Sequence, residues 1–119
     1  MITSHVLDIA KGKPATGIEL ELQRKDNNSG EWNQVSNATT NDDGRVSDLL
    51  NIKERIPLSA GTYRIVFKTG SYLTSAHNQT EPFYPEIIIA FQVGSHQIQQ
   101  HFHIPLLLSP FGFSSYRGS

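Results

Sequence analysis

The chain has 119 residues, a formal net charge of −1 from 10 basic and 11 acidic side chains, and no cysteine. Its length supports one hydrophobic core and is too short for two. Balanced charge without like-signed runs excludes a nucleic-acid surface as the main partner, and the lack of thiols excludes a disulfide framework, a thiolate nucleophile and a cysteine metal site. No apolar run approaches the roughly 20 residues of a membrane span, and Met1 leads straight into a patterned segment rather than a basic, apolar leader. The expectation is a single cytoplasmic domain over residues 1–119.

Gly, Pro, Asn and Asp punctuate the sequence into short segments of period two, which predicts an antiparallel β protein. Ile2 to Ala10 is a first strand, ended by the turn signal Lys11-Gly12-Lys13-Pro14. Ile18, Leu20 and Leu22 alternate with Glu19, Glu21 and Gln23, giving a strand with one wet and one buried face as far as Lys25 to Gly30. Glu31 to Thr40 reads as its returning partner, and Asp42-Asp43-Gly44 as a tight turn with Arg45 directly after it. Ser47 to Ala60 is loosely patterned and reads as a connection with a short strand.

Tyr63, Ile65 and Phe67 alternate with Arg64, Val66 and Lys68 in a further strand, and Ser71 to Gln79 is the one stretch suited to a short helix. Glu86 to Val93 is apolar at almost every position, as expected of a strand covered on both faces by a second sheet or another subunit. His96 to Leu108 is the next strand. Seven or eight short strands at this spacing, with no long helix, predict a β-sandwich.

Within that last segment the pattern puts Gln97, Gln99, His101 and His103 on one face and Ile98, Gln100, Phe102 and Ile104 on the other. Two imidazoles two residues apart stand roughly 7 Å apart along a strand. That is a common metal-ligand spacing, although no third ligand matches it, and spacing alone favours surface or interface histidines. His5 shares a face with Thr3, Leu7 and Ile9, where a lone histidine is more often structural; convergence with His103 would supply a base and an acid near neutral pH. Arg45 is by default a solvated turn residue, and its functional reading is a planar fork for a heterocycle edge or a developing anion. Phosphate-cradling glycine loops, paired-glycine nucleotide fingerprints and a Gly-x-Ser-x-Gly elbow are all missing. The apolar segment Ile104 to Phe113 runs into the polar tail Tyr116-Arg117-Gly118-Ser119, so those final residues are expected to be held in a defined place rather than frayed.

Three stretches, at the beginning, middle and end, together resemble the 5-hydroxyisourate hydrolase family, also called transthyretin-related proteins. They are Ser4-His5-Val6-Leu7-Asp8 followed by Gly12-Lys13-Pro14-Ala15 and Gly17, then Thr40 to Arg45 (TNDDGR), and the most specific, His101 to Ser119 (HFHIPLLLSPFGFSSYRGS). Phe83-Tyr84-Pro85-Glu86 fits as well. The resemblance implies a transthyretin-like all-β sandwich of two four-stranded sheets with one short helix, assembled as a homotetramer, a dimer of dimers with its active sites in the channel between dimers.

It also implies hydrolytic opening of 5-hydroxyisourate without cofactor or metal. The catalytic set carried over is His5, Arg45, His103 and Ser119; Tyr116, Arg117 and Gly118 join these four around the substrate. Either His5 or His103 is the base in this reading. Phe102 and Phe113 stand where many members carry tyrosine, and Phe102 falls on the face opposite His103, so little catalytic effect is expected. The rival is a non-catalytic transthyretin-like carrier of a small aromatic ligand, sharing fold and assembly; as the resemblance is read, such carriers lack the Tyr-Arg-Gly-Ser tail and the channel histidines. A metal-binding or adhesion-type sandwich rests on His101 and His103 alone.

Overall fold

The alternation that marks the strands is also what buries them. In β1 (Ile2–Asp8), Ile2, Ser4, Val6 and Asp8 are buried while Thr3, His5 and Leu7 are half-exposed on the other face. A computed structural model describes residues 1–119. After β1 come β2 (Lys13–Pro14), β3 (Glu19–Lys25), β4 (Trp32–Thr39), β5 (Arg45–Val46), β6 (Gly61–Lys68), helix α1 (Gly70–His77), β7 (Ile87–Val93), β8 (Phe102–Ser109) and β9 (Gly112–Ser115).

One sheet runs β2-β1-β8-β9 with β5 also paired to β1; the other runs β4-β3-β6-β7. The sandwich is therefore transthyretin-like and mostly β, with one short helix. Its first sheet has a fifth strand beyond the expected four, because the residues after the Asp43-Gly44 turn pair with β1 for two positions. Between the sheets, Leu20, Leu22, Ile65 and Phe67 from one side meet Val6, Ile104, Leu106 and Leu108 from the other, and Leu73 of α1 closes the end of this core. Pairing is antiparallel except between β1 and β8, which run parallel with Ile2 beside Phe102 and Asp8 beside Leu108.

Four expectations change. The segment from His96 is not strand until Phe102: Gln97 turns back so that its Oε1 accepts the Gly94 N–H at 2.8 Å, while the Gln97 N–H reaches the Gly94 carbonyl at 2.9 Å. A side chain that captures local backbone groups competes with the ladder, and the strand starts later. The signal at Lys11 to Pro14 is a turn only in its first half, since Lys13 and Pro14 pair with Asp8 and Leu7. After Val46 no further strand forms before Gly61, only an isolated bridge between Asn51 and Arg55. In β7 the protomer covers one face alone: Ile87 and Val93 are buried, yet Ile88 keeps 45% of its surface exposed. The helix forms where expected and stops at Asn78, whose φ of 55° is the left-handed conformation that asparagine tolerates at a helix end.

Candidate active site

The parallel register of β1 and β8 sets Thr3 beside His103 and His5 beside Pro105. Side chains on adjacent strands that share a face become neighbours, so Thr3, His5 and His103 stand together on the outer face of the first sheet. On the other side of β1, β5 sets Arg45 opposite His5.

The Arg45 position is fixed by its turn. Asn41 Oδ1 accepts the N–H groups of Asp43 at 2.9 Å and Arg45 at 3.0 Å, and the Asn41 carbonyl accepts the Gly44 N–H at 2.8 Å. Gly44 has φ of +73° and its carbonyl accepts the Val6 N–H at 2.7 Å; a β-carbon there would collide with the Val6 carbonyl. Glycine alone satisfies both demands. The Asp43 carbonyl accepts from His5 Nε2 at 2.8 Å. A carbonyl only accepts, so His5 carries a proton on Nε2 and that nitrogen is committed to the turn.

The tail is tied down at two residues. The Gly118 N–H donates to the His103 carbonyl at 2.8 Å, and Arg117 donates to Gln100 Oε1 at 3.0 Å and the His101 carbonyl at 3.2 Å while its guanidinium lies 4.2 Å over the Phe102 ring. These contacts deliver Ser119 to a cleft of about 320 Å³ that it shares with Thr3, Asn41, Arg45, His101 and His103. Burial, and after it the nearby His101, Arg45 and His5, which oppose a charge on the ring, hold the His103 imidazole below its ordinary pKa of 6.5. A neutral imidazole beside a guanidinium, in a half-enclosed cleft, is the arrangement that lets one group take a proton while the other meets a developing negative charge.

The structure thus gathers Arg45, His103 and Ser119 around one space, sets His5 beside it with its Nε2 committed to the Arg45 turn, and places Gly118 against the His103 ring. Tyr116 and Arg117 line a different and larger cleft of about 460 Å³, with Ile89, Phe91, Phe102 and Phe113, between the β7 and β9 edges. That cleft holds no imidazole or carboxylate, whereas the smaller one holds His101 and His103. His101 and His103 have ring centres 6.2 Å apart with Thr3 between them, and no third His, Cys, Asp or Glu completes a ligand-sized group. Thr3 and Asn41 escaped the sequence reading as site residues. Asn41 lies inside the Thr40 to Arg45 segment and carries an Asx-turn signature; nothing in the sequence pairs Thr3 with His103.

A sandwich of two mostly antiparallel sheets with one short helix is the architecture of the transthyretin-like proteins. Residues 2–118 match the family described as HIUase/Transthyretin family, and the chain belongs to it. It is 40% identical to the 5-hydroxyisourate hydrolase of Salmonella typhimurium over all of this chain and 81% of that one. Among solved structures it resembles Klebsiella pneumoniae 5-hydroxyisourate hydrolase (TM-score 0.77, 34% identity, 99% of this chain and 97% of that one). It resembles sea bream transthyretin in complex with thyroxine equally well in fold (TM-score 0.82, 28% identity, 99% and 96%). The fold alone therefore does not separate a hydrolase from a carrier.

Proposed function

We propose that this chain hydrolyses 5-hydroxyisourate in urate degradation, by His-assisted attack of water on the ring amide carbonyl to give 2-oxo-4-hydroxy-4-carboxy-5-ureidoimidazoline. The observation that carries the reading is the convergence of His103, Arg45 and Ser119 on one cleft. His103, neutral at pH 7 by virtue of its lowered pKa, takes the proton of the attacking water. Arg45 presents its planar fork to the carbonyl oxygen as it becomes anionic. Ser119 and His5 hold the substrate, and Gly118 lets the tail close on the imidazole. Tyr116 and Arg117 support the pocket from behind, Arg117 by fixing the tail. Neither metal nor cofactor has a part in this scheme. The carrier of a small aromatic ligand is the second reading, favoured only by the likeness to the thyroxine-bound transthyretin; a cleft lined by His101, His103 and Arg45 suits a polar heterocycle better.

A homotetramer, a dimer of dimers, belongs to the same reading. Both sheets end at unpaired edges, β7 and β9, with the apolar cleft between them, and an exposed edge of this kind invites a partner strand. Leu7 and Leu107, neighbours in register, leave half-exposed apolar surface on the outer face beside the polar cleft. A second pair of subunits stacked there would enclose the site. The cytoplasm is the compartment proposed, in keeping with a chain that needs no disulfide; no helix is long and apolar enough to cross a membrane.

The test is the decay of freshly generated 5-hydroxyisourate, followed by ultraviolet absorbance with the protein, its His103→Ala variant and buffer alone. The protein accelerates decay and the variant loses roughly 100- to 10,000-fold of that acceleration, the usual contribution of a general base. Decay no faster than in buffer, with correctly assembled protein, overturns the reading and leaves the carrier.

A further inference from the structure

The Thr3 hydroxyl lies 2.6 Å from His101 Nε2 and 2.7 Å from His103 Nδ1. One hydroxyl brings one proton and two lone pairs. It can donate to one imidazole nitrogen while accepting from the other, or accept from both, but two bare nitrogens cannot face it together. The protonation of the two rings is therefore coupled through a single oxygen. His103 Nε2 has no hydrogen-bonding partner within the chain, so it is the ring nitrogen left for chemistry in the cleft, and it is bare only when Nδ1 carries the proton.

We infer that Thr3 and His101 are positioning residues that act through His103: Thr3 holds His103 in its Nδ1–H tautomer by accepting that proton and donating its own to His101, and the chain of three passes the abstracted proton outward. The catalytic consequence rests on the hydrolase reading; the coupling of the two rings does not. As the C–O bond forms, the proton of the attacking water goes to His103 Nε2, the Nδ1 proton moves to Thr3, and the Thr3 proton moves to His101 Nε2. The positive charge ends on an exposed ring rather than a half-buried one. When the ring C–N bond breaks, the same path in reverse returns a proton to the departing nitrogen, so no proton is gained or lost.

The surroundings favour this direction. His103 faces His5 from β1, Arg45 from β5, His101 from the approach to β8 and the Ser119 end of the tail, which shares its cleft. Three of those four neighbours are cations or can become so, and a charge retained on His103 is opposed by them and by burial. His101 is open to water, which screens it.

The experiment compares the parent, Thr3→Val, Thr3→Ser and His101→Gln by ring-nitrogen NMR and by kcat and KM for 5-hydroxyisourate across pH. Valine keeps the branched shape that suits a strand and loses the hydroxyl; His101→Gln alters an exposed position and carries little folding risk. In the parent and Thr3→Ser, His103 shows the Nδ1–H tautomer. In Thr3→Val it shifts to Nε2–H, and kcat falls by roughly the 10- to 100-fold that loss of an imidazole's orienting partner costs in other sites, with KM little changed and most of the rate recovered by Thr3→Ser. His101→Gln keeps a hydrogen bond but no proton store, and lowers kcat in the same way. A Thr3→Val protein whose His103 stays Nδ1–H overturns the coupling; a shifted tautomer with parental kcat overturns its role in turnover, as does a fully active His101→Gln. If the parent itself fails to outpace buffer, the hydrolase reading falls, and the tautomers measured on the same samples still decide the coupling.

Discussion

Gly118 and His103 are fitted to each other with no room for a side chain between them: a β-carbon on Gly118 would lie 2.5 Å from Cδ2 of the imidazole, while the Gly118 N–H holds the His103 carbonyl at 2.8 Å. The tail and the ring occupy one another's surface. Gly118 is not in the left-handed backbone region, so space and not conformation demands glycine here.

Gly118→Ala therefore displaces either the imidazole or the tail. We expect turnover to fall between about 10- and 100-fold, in line with the cost of a misplacement near 1 Å. Thermal unfolding should scarcely change, because the tail adds little to the core. Parallel measurement of rate and melting temperature checks both; parental turnover would show that the tail can shift without consequence.

The pH dependence of turnover follows from the lowered pKa of His103. Its folded-state pKa lies below 6.5 because burial and then His101, Arg45 and His5 oppose its charge. A base works only when unprotonated. Turnover should decline on the acid side with a midpoint below 6.5, as His103 takes up its proton. The acid limb of kcat/KM reports this group in the free protein, and a midpoint at or above 6.5 contradicts the assignment.

A second polar cluster serves stability instead. Asp8, 1% exposed, accepts from the Tyr72 hydroxyl at 2.6 Å, His77 Nε2 at 2.7 Å and the N–H groups of Lys11 and Ala10 at 3.0 and 3.1 Å. Burial pushes its pKa up, yet these hydrogen bonds outweigh burial and hold it below 3.8. Because the folded pKa is the lower one, this stabilisation is present above pH 3.8 and disappears as pH falls through the folded value. Asp8→Asn should cost about 1–3 kcal/mol, a melting temperature lower by roughly 5 °C per kcal/mol. Turnover at 25 °C should be retained, since Asp8 faces the core and not the cleft.

Assembly is tested at Phe113, 40% exposed on the edge strand β9 and part of the apolar cleft. Phe113→Lys puts a charge where a second copy would bury the ring, and lysine on an edge strand discourages pairing. Sedimentation should show a tetramer for the parent and smaller species for the variant. A variant that stays tetrameric places the interface elsewhere.

How much could be read in advance divides along the range of the interactions. Alternation in Thr3 to Leu7 and Tyr63 to Lys68 specified strands and inner faces because period two is a local property. The turn before Arg45 announced itself through Asn41, Asp43 and Gly44, whose chemistry is also local. The pairing of Thr3 with His103 did not, because register between strands 100 positions apart leaves no mark in either segment. His96 to Gln100 misled for the opposite reason: the alternation is real, but Gln97 captures the Gly94 backbone, and a local hydrogen bond displaced the strand that the pattern suggested. The division of the tail, with Ser119 in one cleft and Tyr116 in another, depends on where Arg117 meets Phe102, a tertiary contact.

The sole parallel pairing also fixes an order of events. The sheet of β3, β4, β6 and β7 is built from antiparallel neighbours, close in sequence and quick to meet, whereas β1 finds its central partner only in β8, with Ile2 beside Phe102. Loops of that length close late. During synthesis, β1 can pair early with β2 and β5 but waits for β8 until nearly the whole chain has been made, and the groups on its outer face meet His103 only then. Return of turnover on refolding should therefore trail the return of β structure.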